Sequence, residues 1–399
     1  MTSNGLRRVV IAGAGIAGLR TAETLRREGF DGSITLVGNE PHPAYDRPAL
    51  SKEVLRSGRD PKETYLRPLG KYENLGIDLL LGRPATGLDV ERRRVLLGDE
   101  DLPFDALVIA TGVAPRRLPG WEPGGEPLVL RSLDDAVRLQ SALTGIRHLT
   151  VVGAGFIGSE VAAAARERGI EVTVLELERT PLARSLGPEM GAALMNLHRD
   201  HGTELRLGVT IVGPGESRSL RLSDGTVLET DLVVAGIGVV PETGWLRDSG
   251  LALGDGVICD AALSAGPPGV YAVGDVANWP NPLFGARMRV EHWTNASQQA
   301  AAVARNLVRG TAEPFRRANY VWSDQYSVRI QLTGVTAGAD VEQVAGDIAE
   351  RDGLAWYRSG DRLVGALAVG RPHAGLKSAA LIEAGTSWDE ALAELASWT

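Results

Sequence analysis

A short glycine signature occurs twice in this chain, each time in the same setting. Gly13-Ala14-Gly15-Ile16-Ala17-Gly18 follows the apolar run Val9-Val10-Ile11-Ala12, and Gly153-Ala154-Gly155-Phe156-Ile157-Gly158 follows Leu149-Thr150-Val151-Val152. A β-branched run, then GxGxxG, then helix-forming residues is the context in which the pattern predicts a dinucleotide-binding turn. Gly13 and Gly153 are expected to make the tight turn from strand to helix, Gly15 and Gly155 to let backbone approach a pyrophosphate, and Gly18 and Gly158 to let helix pack on sheet. Phosphates then meet unpaired N–H groups at a helix N-terminus, where the macrodipole favours negative charge. In a chain with 49 glycines one copy carries little weight. Two copies in matching contexts imply two dinucleotides and electron traffic between them.

A length of 399 residues suggests two or three domains, and 44% hydrophobic with 23% charged residues describes a globular chain. The formal charge of −8 argues against a nucleic-acid partner held by phosphate neutralisation. Cys259 is the single cysteine, which excludes an intrachain disulfide, a CxxC redox pair and a cysteine-based metal cluster. No metal is expected. Arg7-Arg8 ahead of an apolar run resembles the start of a signal peptide, but the run reads as the first strand and no A-x-A site follows. Apolar stretches are interrupted early, as Glu160 and Arg166 interrupt the one from Leu149, so no membrane span is expected and a cytoplasmic location is.

After the first signature the pattern predicts a helix from Leu19 to Glu28, closed by Gly29, and a strand Ile34–Val37. After the second it predicts a helix through Arg168, closed by Gly169, and a strand Val172–Leu175. Both are strand–helix–strand units suited to a parallel sheet. The repetition extends to 99–112 and 223–238, each a turn, an acidic residue, a buried strand and a glycine exit. The stretches 112–119 and 238–241 read as crossing points between domains. The expected fold class is therefore α/β: a nucleotide domain of 1–113 and 242–318, interrupted by a second of 114–241. A small C-terminal α/β domain of 319–399 follows, with strands at 320–322, 327–332, 354–357 and 363–369 and a helix at 388–396.

The residue just past the second strand of such a unit faces the adenosine ribose. In the second unit that is Glu176, whose carboxylate would accept from both ribose hydroxyls and repel a 2′-phosphate; NADH is predicted over NADPH. The alternative is an ordinary exposed carboxylate. In the first unit the turn is Val37-Gly38-Asn39-Glu40, where Asn39 or Glu40 can reach a ribose.

The block Tyr45-Asp46-Arg47-Pro48-Ala49-Leu50-Ser51-Lys52 occurs with Ala110-Thr111-Gly112, Ala235-Gly236-Ile237-Gly238, Val273-Gly274-Asp275, Val290-Glu291-His292-Trp293 and Trp322-Ser323-Asp324-Gln325. Together these resemble the oxygenase-coupled NADH:ferredoxin reductases, of the putidaredoxin reductase and biphenyl dioxygenase reductase type, over essentially the whole chain. The resemblance implies a glutathione reductase-type fold with two Rossmann-like domains, FAD in the outer and NAD in the inserted one. It places Ala14 and Gly15 at the FAD pyrophosphate, with Ala17 also among the cofactor-binding residues, and Asn39 where the family usually has Asp. Arg47, Pro48 and Lys52 then lie around the isoalloxazine, with Arg131 near the FAD phosphates, Asp275 on the ribityl chain and the Trp293 backbone at the pyrimidine end. Ala85, Gly274, Glu291 and His292 complete the FAD set; Phe156, Ile157, Gly236, Ile237 and Gly238 complete the NAD set. Glu160 resembles the glutamate paired with the flavin-side lysine. The implied activity passes electrons from NADH through FAD to a small iron–sulfur ferredoxin of the [2Fe-2S] type serving a cytochrome P450 or ring-hydroxylating dioxygenase. The protein would be a monomer or weak homodimer.

These roles have a physical logic of their own. A helix starting near 292–295 would stabilise an anionic flavin N1 through its dipole. Lysines are scarce, only Lys52, Lys62, Lys71 and Lys377 among 42 basic residues, so a compact ammonium at position 52 reads as a requirement. Buried there, it needs a counter-ion, and Glu160 is the candidate. Trp322 has two readings, core packing or a cover over the flavin or nicotinamide face. His292 can polarise the flavin or be a structural imidazole; no catalytic proton is assigned to it. Arg287, Arg289, Arg305, Arg309, Arg316 and Arg317 form either a docking patch for an acidic ferredoxin or a solvated face.

Rivals of the same fold are separable. Disulfide reductases and cysteine-type peroxidases need sulfur near the flavin, and 41–52 holds none. Cys259 reads as a buried small hydrophobe. A cysteine-free NADH dehydrogenase (diaphorase) acting on quinones or small dyes is the alternative, distinguished by working without ferredoxin. A flavin-dependent interaction protein resembling apoptosis-inducing factor would favour a basic surface, which the charge balance does not show.

Overall fold

The computed structural model describes residues 5–121, 125–216 and 218–398. By their contacts these fall into two compact units, the first drawn from Met1–Asp46, Thr64–Ala114 and Val240–Asn319, the second from Arg47–Glu63, Pro115–Val239 and Tyr320–Thr399.

The first unit is organised by a five-stranded sheet in the order Val270–Ala272, Ala106–Ile109, Arg8–Ala12, Ser33–Val37, Ile77–Leu80, with every neighbour parallel. Strands covered on both faces must be apolar throughout, and Val9, Val10, Ile11 and Ala12 are all buried. Ile11 sits in register with Leu36 on one side and Val108 on the other, all three fully buried. Each such side chain stabilises the fold by roughly 1.5–3 kcal/mol. The helices Ile16–Arg27 and Trp293–Arg309 pack on one another.

The second unit repeats the plan with four parallel strands in the order Glu204–Leu207, Glu171–Glu176, His148–Val152, Leu232–Ala235. It also contains a five-stranded antiparallel sheet in the order Tyr320–Gln325, Val328–Gly334, Arg362–Val369, Asp352–Ser359, Asp340–Asp347. The strand Tyr320–Gln325 packs on the helix Phe156–Glu167.

Two stretches are grouped otherwise than the division at 1–113, 114–241, 242–318 and 319–399 anticipates. Residues 47–63 join the second unit, because Leu55 lies in one apolar cluster with Val151 and Val161, Arg56 pairs with Glu167 at 2.8 Å, and Arg168 donates to the Leu55 carbonyl. Residues 320–399 join it through Ile330, Leu332 and Tyr357 in the same cluster. Element ends shift slightly: the first helix is Ile16–Arg27, and Glu176 is the last residue of its strand rather than the one after it. The strand Asp340–Asp347 and the helix Pro372–Ala384 lie outside the sequence expectation. The first is an edge strand too polar to signal burial, and the second has an apolar content without a clear face.

Candidate functional site

Each glycine loop is built by backbone proximity within its own unit. Gly13 has φ +121°, and a Cβ there would lie 2.1 Å from the Ala110 carbonyl oxygen; Gly153 has φ +99°, and its Cβ would lie 2.4 Å from the Gly236 carbonyl oxygen. Gly18 and Gly158 are excluded from bearing a side chain by the Gly13 and Gly153 carbonyls, at 1.9 and 2.1 Å. The protein itself therefore explains four of the six glycines. It does not explain Gly15 and Gly155. Both have ordinary negative φ, −78° and −71°, and a Cβ at either would meet nothing within 4 Å. The chain's own packing does not require backbone to stay bare there.

The helix ends agree. Gly15 and Gly155 are the N-caps of Ile16–Arg27 and Phe156–Glu167, and neither helix has a side-chain cap or an acidic residue in its first turn. The same chain caps Leu133–Ala142 with Ser132 and Asp135, and Trp388–Leu395 with Ser387 and Glu390. The two bare N-termini, with their positive dipole ends, suit anionic diphosphates.

Around the first loop lie Ala110, Thr111 and Gly112, with the Thr111 hydroxyl donating to the Glu242 carbonyl at 2.8 Å. Past the second strand, Asn39 is exposed, while Glu40 accepts from the Tyr45 hydroxyl at 2.7 Å. Ala85 is half-buried against the core of this unit. Gly274 donates its N–H to Gln299 Oε1 at 2.8 Å and precedes Asp275, whose carbonyl accepts from Arg289. Gln299, fully buried, carries no motif and went unread in the sequence. Glu291 pairs with Arg289 at 2.7 Å. His292 is the N-cap of Trp293–Arg309 and does not cap it with its ring; burial pushes its imidazole down to about 4. Of the six arginines proposed as a docking patch, Arg287 donates to internal carbonyls, Arg289 pairs with Asp255 and Glu291, and Arg309 pairs with Glu28. Cys259 is buried, its thiol pushed up to about 12 by desolvation.

In the second unit Glu176 reaches back over its loop. Its Oε2 accepts the Ala154 N–H at 2.8 Å and its Oε1 the Glu178 N–H at 2.9 Å, which fixes the carboxylate beside the bare glycine. Phe156 is half-buried and Ile157 exposed; Gly236, Ile237 and Gly238 follow the strand Leu232–Ala235 opposite Gly153.

Also in the second unit, Lys52 and Glu160 meet as an ion pair, Nζ to Oε1 at 2.8 Å, with side chains 8% and 3% exposed. Lys52 follows the short turn Arg47–Ser51 and also donates to the Pro48 carbonyl at 3.3 Å. Glu160 accepts two further hydrogen bonds, from the Ser51 hydroxyl on Oε2 and from the Ser323 hydroxyl on Oε1 at 2.7 Å. Three donors leave the buried carboxylate well satisfied, the condition under which a buried pair is tolerable. The serines were invisible as ligands in the sequence, 109 and 163 positions from Glu160. Arg47 donates to the Arg131 carbonyl. Trp322 stacks on Tyr320, ring centres 6.1 Å apart, on the strand that carries Ser323.

With this geometry in view, the chain matches the family described as pyridine nucleotide-disulphide oxidoreductase over residues 7–300, and that described as reductase C-terminal over 320–396. It is 38% identical to rhodocoxin reductase of Rhodococcus erythropolis over 372 residues, 91% of this chain and 86% of the relative. It is 39% identical to the ferredoxin–NAD(+) reductase component of the p-cumate 2,3-dioxygenase system of Pseudomonas putida over 334 residues, 83% and 82% of the two chains. The crystal structure of a covalent putidaredoxin reductase–putidaredoxin complex superposes with a TM-score of 0.91 at 33% identity, covering 95% of this chain and 93% of that one. The chain belongs to the pyridine nucleotide-disulphide oxidoreductase family and is an oxidoreductase. Its single buried cysteine leaves it no disulfide of its own to reduce. Among the described residues no helix is long and apolar enough to cross a membrane.

Proposed function

We propose that this chain is an FAD-dependent NADH:ferredoxin reductase, passing electrons to a [2Fe-2S] ferredoxin that serves a cytochrome P450 or ring-hydroxylating dioxygenase in the cytoplasm. The observation that carries the reading is the pair Gly15 and Gly155, each with open space where a side chain would stand and each at an uncapped helix start. The names of the relatives supply the acceptor. The residues fit both cofactors: two diphosphates match two cradles, and the carboxylate of Glu176 matches a ribose bearing two free hydroxyls. FAD supplies the conversion of a two-electron donor into one-electron transfers.

The chain's own groups position and protect. FAD lies with 1–113 and 242–318, NADH with 114–241, and 319–399 forms the C-terminal domain. Gly13, Ala14, Gly15, Ala17 and Gly18 hold the FAD pyrophosphate, and Gly153, Gly155, Phe156, Ile157 and Gly158 that of NADH. Asp275 would hold the ribityl chain, and the helix that starts at Trp293 would supply its positive end to the flavin. Lys52, held by Glu160, would supply a fixed ammonium to the flavin, with Arg47, Pro48 and Trp322 as further residues acting on it.

The test is an anaerobic stopped-flow experiment on the purified yellow protein. NADH is expected to bleach the flavin absorbance, and added ferredoxin to restore it at a rate far above that with quinone or dichlorophenol-type dyes. A protein that reduces dyes rapidly and no ferredoxin of a broad panel would instead be a diaphorase.

A further inference from the structure

Behind the Lys52–Glu160 pair the second unit carries a buried line of polar side chains that the proposed reaction does not use directly. Ser323 Oγ donates to Glu160 Oε1 at 2.7 Å, and Gln325 Nε2 donates to Ser323 Oγ at 3.2 Å. Gln325 Oε1 lies 2.9 Å from His198 Nε2, His198 Nδ1 lies 3.3 Å from the Tyr326 hydroxyl, and that hydroxyl lies 3.3 Å from Thr203 Oγ1. His198, Ser323 and Gln325 are each 1% exposed. An apolar packing of the same volume is the ordinary content of such a place, since every member of a buried polar network must be satisfied.

The direction of each bond follows from one end. A carboxylate only accepts, so the single Ser323 proton points at Glu160 and Ser323 must itself accept from the Gln325 amide. The Gln325 carbonyl then faces His198, which must carry its proton on Nε2. Its Nδ1, left with a lone pair, takes the single Tyr326 proton, and Thr203 donates to Tyr326. Every proton in the line points toward Glu160. Burial agrees, pushing the His198 imidazole down to about 4, so the ring is neutral at pH 7. The groups facing this end of the line are His201, stacked on the Tyr326 ring at 3.7 Å, and Arg166 and Glu167 near the Tyr326 hydroxyl.

The backbone gives a second sign. Tyr326 occupies the tight turn between Tyr320–Gln325 and Val328–Gly334 with φ +54°, a left-handed conformation that hairpin turns normally give to Gly or Asn. A bulky residue kept there points to a need for its side chain.

We propose that Gln325, His198 and Tyr326 are positioning residues for the flavin-side lysine: a one-way line of hydrogen bonds that holds the Glu160 carboxylate, and through it the Lys52 ammonium, in a single geometry. This deepens the reductase reading and rests on it for its kinetic consequence, though the tautomer it requires does not. The line acts on how fast NADH reduces the protein and not on how tightly NADH binds, because the NADH cradle lies on other residues.

Two measurements on the flavin-loaded protein test it. In histidine-labelled protein, 15N NMR at pH 7, with the His198 signals assigned by their loss in H198Q, is expected to show neutral His198 protonated on Nε2. A proton on Nδ1, or an imidazolium, overturns the proposal even should NADH prove not to be the donor. In anaerobic stopped-flow, H198L is expected to slow flavin reduction about tenfold at saturating NADH with the NADH dissociation constant unchanged, and H198Q, whose amide can donate to Gln325 and accept from Tyr326, to recover it to within about twofold. Equal rates in H198L and wild type, or H198Q as slow as H198L, overturn it. Should H198L not fold, Y326F keeps the ring and loses only the donor: a shifted His198 Nδ1 resonance and a roughly threefold slower reduction support the line, and the absence of both refutes it.

Discussion

The two glycine loops are alike to a fraction of an ångström in what shapes them and differ at the end of the neighbouring strand. Gly13 N–H donates to the Val37 carbonyl and Gly153 N–H to the Leu175 carbonyl, so Gly38 and Glu176 hold equivalent places. At Gly38 a side chain would run into Ala14, 2.7 Å from its Cβ, whereas Glu176 reaches the Ala154 N–H. The loop is thus a common part, set by backbone crowding, and under the proposed function the choice of nucleotide would be made outside it. In the first unit that choice would fall to Asn39 and Glu40, in the second to the carboxylate of Glu176.

The strongest way to break the comparison is to fill one cradle at a time. Because Gly15 and Gly155 have open space and ordinary φ, a valine at either leaves the fold unstrained and obstructs only the ligand. G15V is expected to purify without yellow colour and with native far-ultraviolet circular dichroism. G155V is expected to keep its flavin and lose at least about a hundredfold in NADH affinity, near 2.8 kcal/mol at 1.4 kcal/mol per tenfold. If G155V lost flavin and G15V lost NADH binding, the assignment of cofactors to the two units would be reversed.

That prediction uses what was legible in the residues. A turn that only glycine can make is a local requirement, so both loops and the strands flanking them could be read directly. The grouping of 47–63 with the second loop could not, because it depends on Leu55 and Arg56 finding partners such as Arg168 and Glu167, more than a hundred positions away. The Lys52–Glu160 pair was legible through resemblance and through the scarcity of lysine, but its serine donors were not: Ser51 and Ser323 look like any serines until the fold brings them to one carboxylate. The strand Asp340–Asp347 failed to show because its outward residues are polar on an edge, where no burial pattern is needed.

The pair itself is the next test. K52M removes the ammonium and leaves Glu160 buried with hydroxyl donors alone. Breaking a buried pair from one side costs roughly 3–5 kcal/mol, seen as a fall in thermal midpoint, and hydride transfer from NADH should slow about a hundredfold. K52M/E160Q removes the stranded charge, so it should regain most of the stability and none of the rate. A double variant as fast as wild type would show that the pair serves folding only.

Each unit also holds an imidazole pushed down to about 4 by desolvation, the buried His198 in the second and the half-buried His292 in the first. The unfolded chain, with histidine near 6.5, binds the extra proton first as pH falls. Stability from a neutral buried histidine is therefore complete above pH 6.5 and lost progressively toward pH 4, amounting to about 3 kcal/mol for a fully buried His198. Melting curves between pH 7 and 4 should steepen through this window, and H198Q should flatten its share. A slope unchanged in H198Q would mean that this imidazole is not the group titrating.

The smallest expected effect bears most directly on the difference between the loops. E176Q keeps an oxygen for the Ala154 N–H, gives up the contact from the Glu178 N–H and discards the charge, so the glycine loop keeps its tie while the repulsion of a 2′-phosphate disappears. NADH is expected to weaken by a few-fold, since the carboxylate is a stronger acceptor than an amide oxygen, and NADPH to improve, shrinking the NADH preference by about tenfold, or 1.4 kcal/mol. Because a half-buried charge still open to solvent is screened by salt, the shift should be larger at about 20 mM than at about 500 mM ionic strength. A preference unchanged at both would place nucleotide choice elsewhere in the second unit and leave Glu176 with only its role of tying the strand end to the loop.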